Sequence, residues 1–138
     1  MGGTRRHSRE LALQALFFLD MNPEFGCEDG LNAFWEAREE EDADSVRDAF
    51  CIELVEGALG ANQEIDDLIN RFSKHWKISR MPVVDRNIMR LATYELLKRS
   101  DIPPSVTINE AVELGKKFGT RDSGPFINGI LDQIRLSL

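Results

Sequence analysis

Histidine and cysteine are scarce in this chain, two of each in 138 residues, and that scarcity narrows its chemistry. His7 and His75 lie far apart in the chain, and neither follows a glutamate by three positions. The Glu-x-x-His pattern of di-iron bundles is therefore missing, as is any short spacing that would gather zinc ligands. Cys27 and Cys51 stand alone, with no CxxC pair, and read as reduced thiols packed like small apolar residues. No phosphate-binding loop, GxGxxG fingerprint or GxSxG elbow occurs. Catalysis is not expected, nor is a metal or a cofactor. Long apolar runs are lacking too, since nothing approaches the roughly twenty residues of a membrane span. The basic start leads into an amphipathic segment interrupted by Gln14 and Asp20, so no signal peptide is expected and the location reads as cytoplasmic. Strand-like alternation, internal repeats and low-complexity tracts do not occur.

Helical periodicity fills the space left by these omissions. Seven of the ten residues between Ile88 and Leu97 are apolar, which predicts a helix surrounded by other helices. Glu95 and Arg99 have the spacing of an exposed helical pair. Pro103 and Pro104 interrupt the path, and Thr107-Ile108-Asn109-Glu110 then fits a capping box, with Pro104 as an earlier alternative start. Ile108, Ala111, Val112, Gly115 and Phe118 form one stripe, and Lys116, Lys117 and Gly119 suit its C-terminal end. Asp122 or Ser123 should cap a final helix that buries Phe126, Ile127, Ile130, Leu131 and Ile134.

Upstream, a first helix is expected from about Thr4 to Asp20, followed by a loop over 22–30. A short second helix carries Leu31, Phe34 and Trp35 and dissolves into Glu39-Glu40-Glu41-Asp42, read as a solvated connector. Asp44 or Ser45 should cap a long third stretch, in which Gly57 and Gly60 suggest close packing or a bend. The expected fold class is all-α. It is a compact helical domain of six or seven helices in two small bundles, about 1–75 and about 76–138.

The net charge of −7 is unevenly spread. Residues 24–48 hold ten acids and two arginines, so this segment carries −8 and the remainder +1. The first nine residues contain Arg5, Arg6 and Arg9 and no acid. An acidic protein with a basic tip permits a local polyanion site. On a helical wheel of about 100° per residue, Leu11, Ala12, Ala15, Leu16, Phe18 and Leu19 face the core. Arg6, Glu10, Gln14 and Phe17 face away, with Phe17 only about 20° from Arg6. An aromatic ring beside arginine suits single-stranded nucleic acid, charge for the backbone and a flat face for a base. Arg5, Arg6, Arg9, Gln14 and Phe17 are the candidate nucleic-acid contact residues. Three arginines would give a log–log salt slope of about −2 on a single strand. So weak an anchor calls for a basic partner bound alongside.

Three motifs add a family resemblance. The phrase from Arg86 to Leu96 (RNIMRLATYEL), the phrase from Ile108 to Leu114 (INEAVEL), and Asp122-Ser123 followed by Phe126-Ile127-Asn128-Gly129-Ile130-Leu131 resemble segments of the transcription antitermination factor NusB family. Arg5-Arg6-His7-Ser8-Arg9-Glu10 with Ala12-Leu13-Gln14-Ala15-Leu16 is similar to that family's opening. The resemblance implies binding of boxA-type RNA in ribosomal RNA operon leaders, jointly with the small-subunit ribosomal protein that doubles as NusE. Other antitermination factors and RNA polymerase would be met indirectly. It carries the family's RNA-contact roles to Arg5, Arg6, Arg9 and Phe17, where tyrosine is usual at the last position. His7 stands where a further basic residue is common. The alternative is a helical protein–protein interaction module or homodimer without direct RNA contact. A third reading is the helical module attached to ribosomal RNA cytosine methyltransferases; no methyltransferase domain follows Leu138, so an enzyme is not expected.

Overall fold

A computed structural model describes the backbone from Gly2 to Leu138 and the side chains from Arg5 onward. Among these residues the regular structure is helical throughout. The elements are α1 (Gly2–Met21), α2 (Cys27–Glu41), α3 (Ala49–Gly60), α4 (Asn62–Phe72), α5 (Val83–Lys98), α6 (Pro104–Phe118) and α7 (Ser123–Ser137), with one 3-10 turn at Ile78–Arg80. Helix α5 sits in the middle and touches α1, α3, α4, α6 and α7. Its near-continuous apolar surface accounts for this position. Ile88, Met89, Leu91 and Ala92 are all buried. Helix α1 packs its Leu11, Ala12, Ala15 and Leu16 face into the same core and leaves Gln14 and Phe17 outside.

Polar ties fix how α1 meets this centre. Arg9 is only 5% exposed, and its Nε and Nη2 donate to the Glu95 carboxylate of α5 at 2.9 and 2.7 Å. Thr107 of α6 donates a third hydrogen bond to the same carboxylate at 3.1 Å. The expectation that Arg9 belongs to the open basic tip is thereby corrected. Its side chain crosses from α1 to α5, and inside the protein it pairs with a buried acid. The predicted surface pair of Glu95 and Arg99 is corrected with it. Arg99 turns instead to Glu53 at 2.7 Å and to Asp101 at 2.9 Å.

Several helix ends also differ from expectation. Thr107 and Glu110 form no capping box, because α6 starts at Pro104 and both side chains reach other helices. Helix α2 runs through the acidic stretch to Glu41, as the good helix propensity of Glu, Ala and Arg allows, and Arg47 reaches back to Glu39 at 3.1 Å. Asp48, not Asp44 or Ser45, caps α3 by accepting the Cys51 N–H at 2.8 Å. Its other oxygen accepts from Ser8 of α1 at 2.9 Å. Ser123 opens α7 by accepting the Thr120 N–H at 2.9 Å and donating to buried Asp85 at 2.7 Å.

The long third stretch breaks at Ala61 into α3 and α4. Gly57 serves close packing: a Cβ there would lie 2.1 Å from the Tyr94 ring, whose hydroxyl donates to Glu53 at 3.1 Å.

Three stability outcomes follow from these contacts. Arg9→Ala should cost about 3–5 kcal/mol, because Glu95 is left charged and buried without its partner. Replacing Arg9 and Glu95 together with apolar residues of similar size should cost much less. Gly57→Ala should lower stability too, since overpacking of about 1–3 kcal/mol outweighs the roughly 1 kcal/mol gained in helix propensity. Urea unfolding of each variant measures all three.

Candidate nucleic-acid interface

The exposed edge of α1 runs beside α6, and the two helices hold the candidate residues between them. At the N-terminal end, Arg5, Arg6, Ile102, Pro103, Val106 and Glu110 border a crevice of about 480 Å³. Arg5 is exposed, and its guanidinium stands 4.9 Å above the Phe50 ring. Arg9 and Arg99 approach the same ring at 5.6 and 5.3 Å, so three cations gather around one aromatic ring. Arg6 is 60% exposed but not free. It grips Glu110 with two hydrogen bonds, of 3.1 and 2.7 Å. Those hydrogen bonds are the largest cause holding the Glu110 carboxyl below the ordinary glutamate range, aided by the charges of Arg6 and Arg9 and opposed by burial. The tie therefore stabilises the fold above the usual glutamate pKa and is lost as the pH falls through the depressed one.

One to two turns further along α1, Glu10 receives Lys117 of α6 at 2.5 Å. Beyond that pair, Gln14 is exposed and Phe17 is 49% exposed. Phe118, the last residue of α6, lies across a cleft from Phe17 and is 37% exposed. From Arg6 to Phe17 the helix advances about 16 Å.

Of the five candidates, Arg5, Arg6, Gln14 and Phe17 share this edge, and Arg9 points inward from it. Three neighbours were not among them. In the sequence Glu110 reads as part of a capping box, Lys117 as a helix-end charge and Phe118 as part of a helical stripe. The periodicity of α6 alone could not reveal that its last turn overhangs the core beside α1. Among the described residues, no cluster of three or more His, Cys, Asp or Glu side chains could hold a metal ion. No helix among them is long and apolar enough to cross a membrane.

Comparison with known proteins gives a consistent answer. Residues 6–135 match the profile of the NusB family. Transcription antitermination protein NusB of Desulforapulum autotrophicum is 55% identical over 134 residues, covering 97% of this chain and 92% of its own length. The Myxococcus xanthus protein of the same name is 48% identical and covers 99% and 97%. Among solved structures, T. maritima NusB superimposes with a TM-score of 0.82 at 40% identity, covering 96% of this chain and 90% of that one. A chain from a crystal structure of antitermination factors NusB and NusE with double-stranded RNA has a TM-score of 0.80 at 28% identity, with full coverage of both. On the strength of this match along nearly its whole length, the chain belongs to the NusB family.

Proposed function

We propose that this protein is a cytoplasmic transcription antitermination factor, an RNA-binding regulator and not an enzyme. It binds boxA-type single-stranded RNA of ribosomal RNA operon leaders together with a NusE-type ribosomal protein. The observation that carries the reading is the exposed edge of α1, where Arg5 and Arg6 offer charge and Phe17, about 16 Å on, offers an open ring. An unpaired segment suits that ring, because a base stacked within a duplex cannot reach it.

Binding by this edge alone is weak. With Arg9 committed to the core, two arginines remain, and Arg6 must exchange Glu110 for a phosphate. A basic partner supplies what is missing. The exposed acids Glu36, Glu40, Glu41 and Asp42 on and after α2 give such a partner a complementary surface.

Anisotropy titrations of a boxA-like RNA at several salt concentrations, with and without the NusE-type protein, test this. The log–log salt slope of the protein alone should be about −1.4, and Arg5→Ala should reduce its magnitude by about 0.7. Glu110→Gln should raise RNA affinity severalfold, and Arg6→Ala should abolish that gain. RNA affinity unchanged by Arg5→Ala and Arg6→Ala together would leave only the protein-interaction reading.

A further inference from the structure

We propose that the pocket between the end of α4 and the middle of α7 is a second RNA site, which takes one unpaired nucleotide against Trp76. The inference rests on the RNA-binding reading above and adds a station on other elements than the edge of α1. The pocket holds about 530 Å³ and is bordered by Phe72, Trp76, Pro125, Phe126, Gly129 and Gln133. That volume falls within the roughly 300–1,000 Å³ of ordinary ligand pockets.

Gly129 is the residue that packing does not explain. It lies inside α7, where a glycine weakens the helix. Gly57 and Gly115 are accounted for by the close approach of the Tyr94 ring and the Ile127 side chain. A Cβ on Gly129 would meet nothing within 4 Å, and no glycine among the described residues has a positive φ. The missing side chain leaves an opening, on the face of α7 that forms one wall of the pocket.

The opposite wall carries the ring. Trp76 is 48% exposed and stands at 63° to Phe126, with ring centroids 5.7 Å apart. At that angle the two rings meet edge to face and do not stack on each other, so a flat face stays open to a third ring. Phe72 and Pro125 add apolar wall. Gln133 is exposed, and no hydrogen bond engages its side chain among the described residues. Its carboxamide offers a donor beside an acceptor, the combination that reads an unpaired base on its edge.

Charge decides between a nucleotide and a protein side chain as the occupant. From Arg71 to Val84 there are four cations, Arg71, Lys74, Lys77 and Arg80, and no acid. All four are exposed, and none forms an ion pair among the described residues. By contrast the arginines of α5 and the lysines at the end of α6 are each paired with an acid. Unpaired cations beside an open ring suit a chain that brings a phosphate with every base. An apolar side chain would use the walls and leave the cations unanswered.

The chain has two tryptophans, and Trp35 is buried, so a fluorescence change on RNA binding reports Trp76. The test titrates the full-length protein with a boxA-like RNA, and with the same RNA extended by unpaired adenosines at one end or the other. One extended strand should quench Trp76, bind about tenfold more tightly, and steepen the log–log salt slope by about 0.7 for each of Lys74 and Lys77 that it reaches. Trp76→Ala should abolish the gain in affinity, and Trp76→Phe should keep most of it. Gly129→Leu should fill the opening and abolish both quenching and gain, whereas Gly129→Ala should keep most of each. Thermal unfolding should show the Gly129→Leu fold intact, because leucine is the better helix former and has open space to enter.

Equal affinity and slope for all strands, with Arg5→Ala and Arg6→Ala still costly, overturns the second site and leaves the RNA reading intact. A gain from extension that Trp76→Ala and Gly129→Leu leave untouched places the contact elsewhere and overturns it too. No loss from any of these variants overturns the RNA reading itself. A Gly129→Leu variant that binds the extended strand normally but loses the NusE-type protein assigns the pocket to a protein side chain, which also overturns the proposal.

Discussion

The buried pairing of Arg9 with Glu95 is the constraint that the arrangement of helices depends on. Apolar packing brings α1, α5 and α6 together, but it tolerates sliding, because one leucine contact resembles the next. A guanidinium fork closed on a carboxylate does not tolerate it. Desolvating both charges costs several kcal/mol per ion, and only good geometry with the extra Thr107 hydrogen bond offsets that cost. The three helices therefore have one register in which nothing charged is left unpaired. That register places the exposed edge of α1 against the last turn of α6, so the candidate interface is a by-product of core electrostatics.

The apolar skeleton was readable from residue spacing alone. Ile88 to Leu97 announced a buried helix, and the wheel of α1 separated Leu11, Ala12, Ala15 and Leu16 from Gln14 and Phe17 correctly. Long-range polar choices were not readable. Glu95 has Arg99 four residues away yet pairs with Arg9, 86 positions distant, since spacing along one helix cannot say which side of it faces a neighbour. Thr107 and Glu110 failed as a capping box for the same reason, each being drawn to a partner on another helix. The acidic stretch 39–42 looked like connector because its charges offer no apolar stripe, and helix propensity extended α2 into it nonetheless.

The candidate edge was half visible. Arg5, Arg6, Gln14 and Phe17 belong to one helix, and a wheel finds residues of that kind. Phe118 and Lys117 become relevant only when a second helix ends beside the first, and Glu110 only when its carboxylate crosses to α1. A face assembled from two elements leaves no mark in either one's periodicity. The family motifs, by contrast, spanned both ends of the chain and marked α1, α5, α6 and α7 together, though they did not distinguish the arginine that faces inward from those that face out.

The clasp of Glu110 on Arg6 has a consequence for life in a crowded cell. Ribosomal RNA, transfer RNA and DNA are all abundant, and an unguarded arginine cluster would adhere to any of them. Here a carboxylate on the protein's own framework already engages the guanidinium that the proposed reading assigns to a phosphate. A casual polyanion must displace it and recovers little by doing so. Only a strand that also satisfies the aromatic end of the same edge, or arrives with a second protein, has enough to offer in exchange. On that reading the clasp lowers affinity for every strand, and selectivity comes from the added contacts that only the specific strand and its protein partner bring.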